Sequence, residues 1–143
     1  MQHDLEQLAN DLQERINLET KAKYGQAGFE RWVHGQRMGR MAHASCVGRL
    51  AGACGDTIEI YLKITDERVA DASGFSDGCG ASQVCAGLAA ELALGATLDQ
   101  AATVEADTIL AKLPDFPEDE RHCAKLAAGA LHAAIHAYLT RRG

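Results

Sequence analysis

The chain has 143 residues, 47% of them hydrophobic, and a formal charge of −6, which suits one compact domain of ordinary size and gives no encouragement to a nucleic-acid or anionic-membrane partner. No apolar run approaches the ~18 residues that a membrane span needs, and the start, Met1-Gln2-His3-Asp4-Leu5-Glu6, lacks the positive and apolar stretches of a signal peptide. Five cysteines, an odd number, in a chain read as cytoplasmic argue for thiols open to metal or sulfur chemistry rather than a disulfide framework.

From residue 2 to about 20, Leu5, Leu8, Leu12 and Ile16 recur at helical spacing among polar residues, which predicts an amphipathic helix. Its apolar stripe is expected to pack on the body of the domain; a self-association seam is the alternative, although so few turns are short for a coiled coil. Residues 1–24 are therefore read as an N-terminal helical extension and 25–143 as the main domain. Residues 25–56, rich in Gly, Ala, His and Arg, predict mostly irregular chain with a helical turn over 29–33 and a short strand near 47–50. Thr57 to Ile64 alternates apolar and polar residues, the pattern of a half-buried strand. Asp66-Glu67 supplies a turn, and Arg68 to Phe75 returns as the second strand of a hairpin.

The remainder reads as helical. A helix is expected from Cys79 to about Leu94, stopped at Gly95, with shorter pieces over 98–104 and 107–113. Pro114 and Pro117 interrupt. A last helix runs from about Glu118 to Arg141, with Ala124, Ala127, Leu131, Ala134, Ile135 and Tyr138 on one stripe. Strands first and helices afterwards give an α+β domain.

Three short segments carry chemistry. In Cys54-Gly55-Asp56 a thiol and a carboxylate stand two apart, and in extended backbone such residues point the same way; Gly55 lets the chain bend. Gly78-Cys79-Gly80 opens a helix, where amide groups and the macrodipole favour a thiolate. His122-Cys123 falls in the first turn or two of the last helix, with the same advantage. Cys85, with Leu88 and Leu92 on an apolar face, reads as a buried structural thiol, and Cys46 as a non-ligand. His132 and His136 are four apart, but no Glu follows His132 as a metalloprotease would require; both read as solvated residues.

Taken together, Gly52-Ala53-Cys54-Gly55-Asp56, Gly74 to Ser82 with Gly78-Cys79-Gly80 at its centre, and His122-Cys123-Ala124-Lys125-Leu126-Ala127 resemble the iron–sulfur cluster scaffold family, IscU and the N-terminal domain of NifU. The resemblance spans roughly residues 29 to 140. It implies a small antiparallel three-stranded sheet packed against several helices, with the site at one exposed end. It also implies a non-enzymatic scaffold, on which a [2Fe-2S] cluster is built from iron and desulfurase-derived sulfur and then passed to apo-proteins. Residue by residue, Cys54, Cys79 and Cys123 match the three ligand cysteines, Asp56 and His122 the auxiliary ligands, and Cys123 also the sulfur acceptor. The implied partners are a cysteine desulfurase, an iron donor and apo-protein acceptors.

Zinc is an equally reasonable occupant on isolation, since Cys, His and Asp all make tetrahedral zinc sites. The alternative function is that of a zinc-dependent sulfur acceptor partnering a desulfurase, as in the related SufU proteins. Those carry an insertion between the second and third cysteines and usually lack the preceding His. Here 43 residues separate Cys79 from Cys123 and His122 is present, which favours the scaffold. The family's LPPVK chaperone-recognition segment corresponds to Phe116-Pro117-Glu118-Asp119-Glu120. One proline and the basic residue are lost, which puts the dedicated chaperone in doubt as a partner.

Overall fold

Strands β1 (Cys46–Ala51), β2 (Thr57–Thr65) and β3 (Arg68–Ser76) form one antiparallel sheet in the order β1-β2-β3. The structure, a computed structural model, describes residues 2–34, 37–53 and 55–142. Around the sheet lie α1 (Gln2–His34), α2 (Gly80–Ala93), α3 (Leu98–Ala102), α4 (Ala106–Leu110) and α5 (His122–Arg142), with a 3-10 turn at Glu118–Glu120 before α5. This is the expected α+β arrangement. The hairpin between β2 and β3 closes on Asp66 and Glu67, both with positive φ (52° and 64°), the pair of conformations whose twist suits a two-residue turn.

Helices α2 and α5 press on the sheet unusually closely. Gly48, Ile60 and Gly74 stand opposite one another across the three strands, so they share one face. A Cβ at Gly48 would meet the Ala130 carbonyl and the Ala134 backbone of α5, and one at Gly74 would meet the Ala86 carbonyl of α2. The helices thus lie against the glycines of the two outer strands, while fully buried Ile60 stands on the central strand between them. Alanines dominate the facing sides: Ala81, Ala86, Ala89, Ala90 and Ala93 on α2, and Ala124, Ala127, Ala130 and Ala134 on α5, are all buried. The alanine density is thus a packing device as well as a helix-forming one.

Four expectations need correction. The stripe Leu5, Leu8, Leu12 and Ile16 does not pack on the body; these residues are 67, 56, 48 and 46% exposed. The first helix does not stop near residue 20 but resumes after a break at Gly25 (φ 78°, ψ 172°) and continues to His34. Beyond that break Ala27 packs against the core, a tertiary contact that local composition does not reveal. Much of 25–56 is therefore regular, and β1 runs in full register against β2 from Cys46↔Leu62 to Ala51↔Thr57. Finally, the last α-helix begins at His122, because Glu118–Glu120 is wound as a 3-10 turn after Pro117. The segment around Met38 lies beside the outer edge of β3, where the Gly39 N–H donates to the Gly74 carbonyl and the Gly74 N–H to that of Arg37, both at 2.8 Å. This occupies part of an edge that would otherwise be open to pairing.

Candidate metal centre

Three connections meet at one end of the sheet: the β1–β2 turn carrying Asp56, the β3–α2 junction carrying Cys79, and the start of α5 carrying His122 and Cys123. The β1–β2 turn is closed by two backbone bonds, from the Gly52 N–H to the Asp56 carbonyl at 2.7 Å and from the Gly55 N–H to the Gly52 carbonyl at 3.1 Å. Gly55 has φ +88°, a left-handed conformation that glycine adopts without penalty. Strand alternation, expected from the spacing of Cys54 and Asp56, is therefore not what aims Asp56; a glycine turn does the aiming. Cys54 lies outside the described residues. The Thr57 N–H donates to Asp77 Oδ1 at 3.1 Å and so ties this turn to the loop before α2. Gly78 has a role of its own, since a Cβ there would run into the Asp56 carboxylate.

Cys79 is the N-cap of α2 and is exposed, making no side-chain capping bond. One helical turn on, the fully buried Ser82 links the site together. Its hydroxyl donates to Asp56 Oδ2 at 2.8 Å and lies 3.7 Å from Cys79 Sγ and 3.5 Å from Cys123 Sγ. A hydroxyl has one proton, and Ser82 directs it to Asp56. Cys79 Sγ also lies 3.8 Å from Asp56 Oδ2.

At the start of α5, His122 Nδ1 is 3.1 Å from the Asp119 carbonyl. A carbonyl only accepts, so Nδ1 carries the proton and Nε2 keeps a lone pair in the neutral ring. Nε2 lies 3.6 Å from Cys123 Sγ. On the other side, Glu120 Oε2 accepts from Cys123 Sγ at 3.7 Å. Two ligand groups share Cys123: Asp56, His122 and Cys123, and Cys79, Glu120 and Cys123, each with its atoms within 4.8 Å of one another. Each group offers ligand types that hold an ion such as zinc.

Burial pushes the Cys123 thiol up to about 12, with the contact to Ser82 acting in the opposite direction and repulsion from Cys79 and Glu120 adding to the rise. The helix end was expected to favour a thiolate here; burial outweighs it. An entering metal must therefore displace the Cys123 proton. Neutral iodoacetamide applied to the metal-free protein is expected to label exposed Cys79 before Cys46, Cys85 and Cys123, read by peptide mass spectrometry. Labelling of Cys123 ahead of Cys79 would show that burial does not control access.

Cys85 is fully buried and its thiol is raised by that burial, in keeping with a structural role. Cys46 is buried at the end of β1 remote from the turn that carries Asp56. His132 is not simply solvated: its Nε2 lies 2.7 Å from the Val104 carbonyl, which fastens α5 to the loop between α3 and α4. His136 is exposed beside Thr140. Two residues of the cluster, Ser82 and Glu120, escaped the sequence reading as site residues. The signal was their spacing, three residues after Cys79 and three before Cys123, one helical turn in each case.

Comparison with known proteins bears on this geometry. Residues 23–143 match the family described as the NifU-like N terminal domain. The iron–sulfur cluster assembly scaffold protein IscU 1 of Archaeoglobus fulgidus is 31% identical over 121 residues, covering 84% of this chain and 79% of that protein. The scaffold protein IscU of Escherichia coli K12 is 33% identical over 93 residues, 64% of this chain and 72% of its own. In fold, the chain is similar to the crystal structure of a nitrogen-fixing NifU-like protein (N-terminal) from Brucella abortus, with a TM-score of 0.68 and 20% identity over 85% of this chain and 97% of that one.

Proposed function

The chain belongs to the NifU-like N-terminal domain family, and from that premise we propose that it is a scaffold on which a [2Fe-2S] cluster is assembled from iron and desulfurase-derived sulfur and then transferred to apo-proteins. In this reading Cys54, Cys79 and Cys123 hold the cluster, while Asp56 and His122 compete for the remaining position. Cys123 receives the sulfur. The reading is carried by one observation above all, the meeting of Asp56, Cys79, His122 and Cys123 at one end of the sheet. The family relatives named as iron–sulfur cluster assembly scaffolds support it.

The donor set suits a cargo that must leave. Stable clusters are usually held by four cysteines. A carboxylate or an imidazole in the fourth place is more easily displaced, and Asp56 is half-buried and His122 exposed, so an acceptor protein can reach them. Zinc fits the same ligands and is a reasonable occupant on isolation. The protein in this reading is not itself an enzyme and works in the cytoplasm. Its partners are a cysteine desulfurase, an iron donor and apo-protein acceptors. Residues 1–24 are an extension to the scaffold domain of 25–143, a division supported by a family match that begins at residue 23.

Anaerobic reconstitution with a desulfurase, cysteine and ferrous iron, followed by transfer to an apo-ferredoxin, tests this by visible absorption. No transferable cluster, with tightly kept zinc and a stimulated desulfurase, would replace it with the sulfur-acceptor function. Asp56→Ala is expected to slow cluster release, because the readily displaced carboxylate no longer competes with His122 for the remaining position. Faster loss from that variant would contradict the role given to Asp56.

A further inference from the structure

Glu120 has a place in this site that the three cysteine motifs do not predict. It ends the 3-10 turn that follows Pro117, where its N–H donates to the Pro117 carbonyl at 3.1 Å. That turn sets it one helical step before Cys123, half-buried, with Oε2 3.7 Å from Cys123 Sγ and a carboxylate oxygen within 4.8 Å of the Cys79 sulfur. Its neighbours in the turn, Glu118 and Asp119, are exposed. The acid also stands where the scaffold family's recognition segment ends in a basic residue, so it is a property of this chain rather than one carried over from the resemblance.

Resting on the scaffold reading above, we propose that Glu120 is a metal ligand of this site, holding an incoming divalent ion together with Cys79 and Cys123 before sulfur arrives. The chemistry gives it a distinct use, an oxygen ligand beside two sulfurs. Hard oxygen ligands also suit a divalent ion that has not yet acquired sulfide. Cys123 belongs both to this group and to that of Asp56 and His122. An ion taken up beside Glu120 can therefore pass to the other group without leaving the Cys123 sulfur.

The test is titration of the full-length, metal-free protein with Co(II) alone, following the thiolate charge-transfer and d–d bands. Glu120→Gln is expected to weaken Co(II) binding roughly tenfold or more and to shift the d–d bands, with the thiolate bands retained. Glu118→Gln removes the same charge from the same turn and is expected to bind as the parent does. Glu120→Asp keeps the charge but withdraws the oxygens, and should fall between the two. If Glu120→Gln binds like the parent with unchanged bands, or if Glu118→Gln weakens binding equally, Glu120 is not a ligand. A parent that takes up no Co(II) would overturn the scaffold reading as well.

Discussion

Serine in place of Cys123 is expected to abolish cluster formation, the largest single effect any substitution in this site should have. Cys123 is the residue common to both ligand groups, and its sulfur is the point on which Ser82, His122 and Glu120 converge. Metal affinity should fall by more than the roughly 10–100-fold that follows loss of a residue that merely orients a ligand. A serine hydroxyl is a poor substitute for a thiolate toward an iron–sulfur cluster. Anaerobic reconstitution followed by visible absorption measures the loss directly. Cys46→Ala, at the far end of β1, is expected to assemble the cluster at the parent's yield, so a folding defect can be told from a ligand defect. If Cys123→Ser assembles a cluster as fully as the parent, the site is wrongly centred.

The second large effect concerns the fold and not the ligands. Gly48→Ala and Gly74→Ala should each destabilise the domain by about 3 kcal/mol or more, the upper end of what overpacking costs. The added methyl would strike backbone atoms of α5 or α2, and a helix backbone cannot rotate aside as a side chain can. Relief requires the whole helix to lift from the sheet. Against a typical total stability of about 5–15 kcal/mol, either change removes a large share, visible as a fall of roughly 6–12 °C in Tm. Gly129→Ala offers the contrast within α5. Its methyl would meet only Leu50 Cδ1, a movable atom, and alanine is the better helix former by ~1 kcal/mol. Thermal denaturation that ranks Gly129→Ala with the other two would refute the close-approach argument.

The hairpin and the helix from Cys79 were legible because their signals are local. Thr57 to Ile64 alternates, and the observed β2 differs from that span by one residue. Gly95 does lie past the end of α2, with φ +81°. The first helix was recognised from its stripe but misplaced in its surroundings, because periodicity shows that a helix has an apolar face and not what covers that face. Within 25–56, the helix beyond Gly25 and the full length of β1 depend on contacts with Ala27 and β2, which no window of local sequence contains.

For the candidate site, the sequence by itself determined the residue types, their order along the chain and their positions at the edges of elements. Thiols, a carboxylate and an imidazole at a glycine turn and two helix starts are chemistry written in residue identity and short spacing. Only the tertiary structure decided that Asp56 meets Cys79 and Cys123 through Ser82, that Glu120 joins them, and that burial holds the Cys123 proton against the pull of the helix end. Each of these depends on where α5 lies relative to β1 and α2. That placement follows from glycine and alanine contacts between segments remote in the chain, and contact of that kind has no local signature.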